Sequence, residues 1–136
     1  MKYLLDVNVL VALCVSEHEF HERVASWLNK SARAGRSELI TCAVTELRFL
    51  RTLVQAEPYG FTIDQGKDLL SQLKSSNEFH FVFLSDGLGL AQLPRWVKGP
   101  KQITDGHLLG LAKAHAAEMA TLDERIPGAY AIPGRF

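Results

Sequence analysis

Residues Ile103–Ile126 read ITDGHLLGLAKAHAAEMATLDERI, and this stretch decides the fold. Its spacing of apolar residues predicts a helix over Thr104–Ala117, followed by a buried strand over Met119–Leu122. On a helical wheel Asp105 lies inside the apolar arc, in the first turn of the predicted helix. The helix dipole favours an acid in that turn but does not account for the face that it occupies. Because a buried carboxylate needs a cation or strong hydrogen bonds, Asp105 is a candidate functional group.

Two further acids follow predicted strands directly. Asp123 comes after the strand just described, and Asp6 comes after the apolar run Tyr3–Leu5. Ligands of open α/β sheets bind beyond the carboxyl ends of the strands, so both acids are expected at one sheet edge. The simpler alternative for each acid alone is a turn residue or a helix cap.

A fourth acid, Glu46, lies in a predicted helix over Ala43–Ala56. The wheel surrounds it with the apolar residues of that helix, which are Ala43, Leu47, Phe49, Leu50, Leu53 and Val54. The opposite face is polar and carries Arg48, Arg51, Thr52 and Gln55. We therefore expect Glu46 to lie on a buried face, and we expect the arginines to be solvated.

Short apolar runs alternate with helical patterns along the rest of the chain, which indicates an α/β fold. The other predicted helices are Val9–Cys14, Glu19–Arg33 (closed by Gly35) and Thr62–Ser75. The other predicted strands are Leu39–Thr41, Phe79–Leu84 and a short edge strand over Ala129–Ile132. Because Phe79–Leu84 is apolar at every position except His80, we expect that strand to be covered on both faces. The prediction is a three-layer α/β/α sandwich with a mostly parallel sheet of four or five strands, in one domain over residues 1–136.

The composition narrows the class of protein. A hydrophobic content of 47% in 136 residues is enough for a core without disulfides or structural metal. Lysine plus arginine and aspartate plus glutamate balance at 15 each, so no global charge attracts nucleic acid, although a local basic rim remains possible. Cys14 and Cys42 form no C-x-x-C pair, which argues against a thiolate zinc site. The longest uncharged stretch, Val7–Ser16, is too short to span a bilayer, and we expect a cytoplasmic protein.

The four acids suggest one kind of chemistry. Clustered carboxylates repel one another at neutral pH unless protons or a cation neutralise them. Hard oxygen ligands select Mg²⁺ or Mn²⁺ over zinc. Such an ion suits phosphodiester hydrolysis, because it polarises the phosphoryl oxygen, lowers the pKa of a water and stabilises the leaving oxygen.

Three segments carry a family resemblance. LLDVNVLVAL at Leu4–Leu13 resembles the opening motif of PIN-domain nucleases, and Thr45–Leu47 matches the second acid of that family. The stretch Ile103–Ile126 is similar to the closing block of the family, with its third and fourth acids. The chain length also suits the VapC-type toxins of bacterial toxin–antitoxin pairs. The resemblance spans nearly the whole chain, but Pro58–Gln102 carries no motif.

The resemblance implies roles for particular residues and partners. The carboxylates that would hold the ion and activate water are Asp6, Glu46, Asp105 and Asp123. Asn8 and Thr121 match positions that support the acids by hydrogen bonds, and Thr104 would cap the helix of Asp105. The family cleaves RNA, is blocked by a small antitoxin and often forms homodimers. Gly106 departs from the family pattern, which more often has alanine or another helix former there.

A basic segment precedes the helix of Asp105. Its candidate RNA-binding residues are Arg95, Trp96, Lys98 and Lys101. Cations beside an aromatic ring can hold single-stranded RNA by phosphate contacts and base stacking. The alternative is an ordinary solvated loop. Arg48 and Arg51 could also meet RNA or an acidic antitoxin segment, but a solvated helix face is the default for both.

Two other functions stay open on the sequence alone. A phosphatase of the haloacid-dehalogenase type also starts with an acid after its first strand, in a D-x-D pattern, but Asn8 replaces the second acid here. A non-catalytic PIN-like binding module is the other, although a decayed site should have lost some acids. Glu124 could replace or assist Asp123, and the number of ions, one or two, stays open.

Overall fold

In the computed structural model the chain forms a parallel sheet with helices on both faces. The structure describes residues 1–31, 37–56 and 58–134. In these ranges five strands form one sheet: β1 (Lys2–Leu5), β2 (Glu38–Cys42), β3 (His80–Leu84), β4 (Glu118–Thr121) and β5 (Tyr130–Ala131). Their order is β3-β2-β1-β4-β5, and every neighbouring pair is parallel. The predicted sheet is confirmed, including its short edge strand.

The helices lie close to their predicted positions. They are α1 (Val7–Cys14), α2 (His21–Ser31), α3 (Ala43–Gln55), α4 (Ile63–Lys74) and α5 (Ile103–Ala114). Two 3₁₀ turns, Leu90–Gln92 and Pro100–Gln102, occupy the segment before α5. Thr62 starts α4, because its hydroxyl accepts the Gln65 N–H at 3.1 Å. The predicted end of α2 at Gly35 lies outside the described residues.

Two apolar clusters fill the space on either side of the sheet. Successive side chains of a strand point to opposite faces, so Leu5 packs with α1 to α4 while Leu4 packs with α5. Trp27 and Phe49 are the largest side chains buried on the first face, and Leu108 is buried on the second. The predicted three-layer α/β/α sandwich is therefore confirmed.

The environment predicted for β3 is wrong. This strand lies at the edge of the sheet, and the Phe83 side chain is 52% exposed. An apolar run indicates a strand but does not say how many neighbours cover it, and here the strand order leaves β3 with one neighbour, β2. Across the described ranges, every helix is too short or too polar to cross a membrane.

The central position of β1 determines where the acids lie. Leu5 pairs with Ala120, so the next residue on β1, Asp6, lies beside the carboxyl end of β4. The backbone N–H of Asp6 donates to the Ala120 carbonyl at 2.9 Å, which continues the pairing of β1 with β4 one residue beyond the end of β1. The carboxyl ends of the two strands therefore open onto the same edge, where α5 also begins.

Candidate active site

Asp6 is a buried carboxylate with two hydrogen-bond donors. Its side chain is only 6% exposed, and it caps α1 because Oδ1 accepts the Val7 N–H at 2.7 Å. Its Oδ2 accepts the hydroxyl of Thr121 at 2.7 Å, as predicted for a supporting residue. Burial raises the pKa of Asp6 above its ordinary value, and the two hydrogen bonds oppose that rise.

Asp123 lies two residues beyond the end of β4. Its backbone N–H donates to the hydroxyl of Thr121 at 3.1 Å, so the same threonine contacts two of the predicted acids. Arg125 pairs with the carboxylate, with Nε 3.1 Å from Oδ1 and Nη2 3.4 Å from Oδ2. These hydrogen bonds lower the pKa of Asp123, so it is ionised at neutral pH. The neighbouring Glu124 is exposed and does not line the cleft described below.

Asp105 occupies the first turn of α5, where the wheel placed it. Its pKa is raised to about 6, first by burial and then by the negative charges of Asp6 and Asp123. Charges of one sign raise each other's pKa only when they are close and poorly screened. The three aspartates therefore act on one another electrostatically.

One cleft brings these aspartates together. Its volume is about 410 Å³, and its polar lining includes Asp6, Asp105, Asp123, Asn8, Thr104, Arg48 and Lys101. The amide oxygen of Asn8 accepts the Leu122 N–H at 3.5 Å, a long contact that ties α1 to the end of β4. Thr104 lines the cleft but does not cap α5, which begins one residue earlier with Gln102 at the cap position.

The structure does not bring Glu46 to this cleft. Its Oε2 accepts the Thr41 hydroxyl at 2.6 Å and forms an ion pair with Lys74 of α4. It lines a separate groove between α3 and α4. The predicted buried arc was too wide, because Leu47 is 67% exposed and α3 buries only Thr45, Phe49 and Leu53.

Arg48 faces the cleft where Glu46 was expected. Two residues on a helix diverge by roughly 200°, so the side chains of Glu46 and Arg48 point in nearly opposite directions. The positive charge of Arg48 lowers the pKa of both Asp6 and Asp105, which confirms that it is close to them. Thr52, four residues further on, lines the same cleft. This polar pair at helical spacing was a usable signal, but the sequence interpretation took a solvated face as the default and kept a ligand contact of Arg48 as the alternative.

The basic segment before α5 contributes one residue to the cleft. Lys101 lines it, whereas Arg95 and Lys98 are exposed elsewhere. Trp96 is partly buried against the apolar cluster of α5, so its ring serves the core and is not placed to stack on a base. His18 and Tyr59 also line the cleft, and neither was singled out from the sequence.

The donor set fits a hard divalent cation. The aspartates offer carboxylate oxygens only, which are the ligands that Mg²⁺ and Mn²⁺ prefer. After burial, the negative charges of Asp6 and Asp123 contribute to the raised pKa of Asp105, and a bound cation would offset that contribution. In the ranges described above, no three acid, histidine or cysteine side chains already form a ligand cage.

Sequence comparisons agree with this geometry. The model of the PIN domain family matches residues 3–131 of the chain. Ribonuclease VapC29 of Mycobacterium tuberculosis is 35% identical over 124 residues, which are 90% of this chain and 86% of the relative. Ribonuclease VapC44 of the same organism is 33% identical over 139 residues, with 98% of this chain and 94% of the relative covered.

A solved structure shares the fold. The match is to the crystal structure of VapBC2 from Rickettsia felis, bound to a DNA fragment from its promoter. The TM-score is 0.59 at 14% sequence identity, and the match covers 96% of this chain and 97% of the other. At that identity the similarity shows the architecture alone. With the family model matching almost its full length, the chain belongs to the PIN domain family, where its sequence relatives are VapC ribonucleases.

Proposed function

We propose that this protein is a VapC-type endoribonuclease that cleaves RNA with Mg²⁺ or Mn²⁺ held by Asp6, Asp105 and Asp123. The observation that carries the proposal is the convergence of these aspartates in one cleft at the carboxyl edge of a parallel sheet. The relatives that match along most of the chain are named ribonucleases, which supports RNA as the substrate.

The three carboxylates would contribute differently. When bound, the divalent ion would supply charge for the phosphoryl group and a water of lowered pKa. Asp6 is held in place by two hydrogen bonds and would serve as the fixed ligand. Asp105, with a pKa of about 6 in the metal-free cleft, is mostly ionised at neutral pH and would be available as a second ligand. Asp123 would have to exchange its guanidinium partner, Arg125, for the ion.

Glu46, the fourth acid implied by the resemblance, is not included among these ligands. It could join them only by leaving Lys74 and Thr41. The proposal therefore rests on the aspartates, and the role of Glu46 is tested separately below.

The partner and setting are also proposals. The relatives are VapC proteins, and the solved structure with the same fold is a VapBC2 complex. On that basis we propose a small antitoxin as the partner and the cytoplasm as the location. The homodimer implied by the resemblance remains part of the same proposal.

A cleavage assay tests the function. Purified protein is incubated with single-stranded RNA in Mg²⁺ or Mn²⁺ and, in parallel, in EDTA. We expect cleavage that needs the ion and is lost in Asp6→Asn and Asp105→Asn, while Asp68→Asn on the exposed face of α4 cleaves normally. Circular dichroism confirms that each variant is folded.

Several results would overturn the proposal. Cleavage that persists in EDTA or in folded Asp105→Asn would exclude a metal-dependent mechanism at these acids. A covalent phosphate trapped on Asp6 after incubation with a phosphate monoester would favour the phosphatase. Binding of RNA without cleavage in either ion would favour a binding module.

A further inference from the structure

Two cationic side chains of the cleft form no ion pair with a carboxylate of the described residues. Arg48 of α3 and Lys101 of the 3₁₀ turn before α5 both line the cleft and are exposed. Among the described residues neither forms an ion pair, although three aspartates share the cleft with them. Their charges are therefore available to an incoming anion.

The electrostatics of the cleft show what these cations are needed for. Arg125 pairs with Asp123, so the carboxylates of Asp6 and Asp105 are the ones that face the cations of the cleft. A phosphodiester approaching those carboxylates alone would be repelled, because charges a few ångströms apart interact strongly in a partly dry cleft. A guanidinium can offset this repulsion and can also bind a phosphate with two parallel hydrogen bonds.

Both cations are carried by well-defined backbone. Arg48 lies within α3, where its carbonyl accepts the Thr52 hydroxyl at 2.8 Å. Lys101 lies in a turn that Gln102 closes, since its side-chain oxygen accepts the N–H groups of Lys98 at 2.7 Å and Gly99 at 3.2 Å. A fixed backbone removes the entropy cost of ordering the segment that carries each side chain when a ligand binds.

We propose that Arg48 and Lys101 form a phosphate-binding wall that holds the RNA backbone on both sides of the bond to be cleaved. The inference rests on the proposed function and assigns the substrate contacts of the same cleft. The sequence prediction placed RNA on Arg95, Trp96, Lys98 and Lys101. The wall keeps Lys101 from that set and adds Arg48 of α3.

Each wall residue has a matched control in the chain. Arg51 is on the same helix as Arg48, is equally exposed, and donates to Gln55 at 3.2 Å outside the cleft. Lys98 lies three residues before Lys101 and is exposed outside the cleft. If the contacts are specific to the cleft, replacing Arg48 must weaken RNA binding more than replacing Arg51. Replacing Lys101 must likewise weaken it more than replacing Lys98.

The test measures binding of a fluorescent single-stranded oligoribonucleotide by anisotropy at several salt concentrations, in an Asp6→Asn background that prevents cleavage. We expect Arg48→Ala and Lys101→Ala each to raise Kd about five- to tenfold. Each should also reduce the slope of log K against log salt by about 0.7, the contribution of one phosphate contact to a single strand. Arg48→Lys should keep the slope, and Arg51→Ala and Lys98→Ala should change Kd less than about twofold.

The outcomes separate this inference from the proposed function. If the wild type cleaves RNA with Mg²⁺ while Arg48→Ala binds like Arg51→Ala, the wall is wrong and the nuclease stands. A second outcome is that the wild type fails to cleave RNA while the Asp6→Asn protein binds RNA with a salt dependence that changes in Arg48→Ala. That result would support the phosphate-binding wall and contradict the nuclease function. A background protein that binds no RNA at low salt overturns the wall.

Steady-state kinetics provide a second readout in the wild-type background. Loss of a substrate contact should raise KM for Arg48→Ala and leave kcat nearly unchanged. A fall in kcat with unchanged KM would show that Arg48 acts on the aspartates, and it would overturn the assignment as a phosphate contact.

Discussion

Thr121 donates its hydroxyl to Oδ2 of Asp6 at 2.7 Å, across a sequence separation of 115 residues. The hydroxyl oxygen of Thr121 in turn accepts the backbone N–H of Asp123 at 3.1 Å. Thr121 is fully buried, so water cannot replace it in either contact. One hydroxyl at the end of β4 therefore positions two of the three cleft acids.

Thr121→Val should weaken both the fold and the site. The substitution keeps the shape but removes the donor to a buried carboxylate, which should lower the free energy of unfolding by about 1–2 kcal/mol at neutral pH. The hydrogen bond lowers the pKa of Asp6, so its loss should raise that pKa further and move Mg²⁺ binding to higher pH. Urea unfolding and calorimetric titration with Mg²⁺ at several pH values measure the two effects.

Thr121→Ser is the matched control, because it keeps the hydroxyl. It should retain the pH dependence of the wild type even if loss of the methyl group costs some stability. A valine variant with the stability and Mg²⁺ profile of the wild type would show that the hydroxyl has no such role.

Asp105→Asn should stabilise the protein in the absence of metal. The pKa of Asp105 is about 6 in the fold against an ordinary 3.8, so the folded state holds the proton more tightly. Binding of this proton therefore stabilises the folded state. The stabilisation is fully present below about pH 4 and is lost as the pH rises through about 6. Removing the charge should add roughly 1 kcal/mol at pH 7.5, well below the full linkage value because the group is partly solvated.

Thermal unfolding in EDTA measures this gain. The variant should unfold a few degrees above the wild type at pH 7.5 and close to it at pH 4.5. Mg²⁺ should raise the Tm of the wild type and have little effect on the variant, whereas Asp68→Asn should respond like the wild type. A variant that is less stable than the wild type at pH 7.5 contradicts the interpretation.

Glu46→Gln should affect stability more than cleavage. The substitution removes the ion pair with Lys74 and weakens the bond from Thr41, at a cost of about 1 kcal/mol for these half-buried groups. Because Glu46 lies outside the cleft, cleavage should fall far less than in Asp105→Asn. Single-turnover cleavage and urea unfolding of both variants make the comparison.

Lys74→Met extends this test. It should cost similar stability and leave cleavage nearly unchanged. If folded Glu46→Gln loses cleavage as completely as Asp105→Asn, Glu46 leaves Lys74 during the reaction and acts as the fourth acid.

Gly106→Ala should destabilise the protein despite the higher helix propensity of alanine. Gly106 is buried in α5, and a Cβ there would overlap Cγ2 of Val97 and approach Cδ of Pro94 to 3.3 Å. The steric cost of the added methyl group should exceed the gain of about 1 kcal/mol in helix propensity. The free energy of unfolding should therefore fall by about 1–2 kcal/mol. This close approach explains why the chain departs from the family pattern at this position.

Gly110 provides the comparison on the same helix. A Cβ there meets its nearest neighbour at 3.7 Å, so Gly110→Ala should stabilise by roughly 0.5–1 kcal/mol. Val97→Ala in the Gly106→Ala background should restore part of the loss. Chemical denaturation of these variants and the double mutant decides the matter, and equal stability changes at the two glycines would refute the steric argument.

Hydrophobic periodicity was sufficient to predict most of the fold. Each described helix and strand has a counterpart within a few residues, since local patterning determines element type and approximate bounds. The environment of β3 was wrong because strand order depends on long-range pairing. An apolar run has the same local pattern at the edge as in the centre of a sheet.

The candidate site was predictable where position along an element determines it. Asp6 and Asp123 follow adjacent parallel strands, and Asp105 starts the helix that packs beside them. Glu46 was different, because its partner Lys74 lies 28 residues away and no local pattern encodes that contact. Arg48 was assigned to solvent by default, because a polar helix face does not show which of its residues meets a cleft.

The position of β1 between β2 and β4 also has a consequence for synthesis of the chain. Translation delivers Asp6 early and β4 near the end, so a nascent chain can pair β1 with β2 long before Thr121 and Asp123 exist. Contacts across such separations form late and slowly. The cleft cannot assemble on a partly translated chain, and any nuclease activity begins only after nearly all of the fold has left the ribosome.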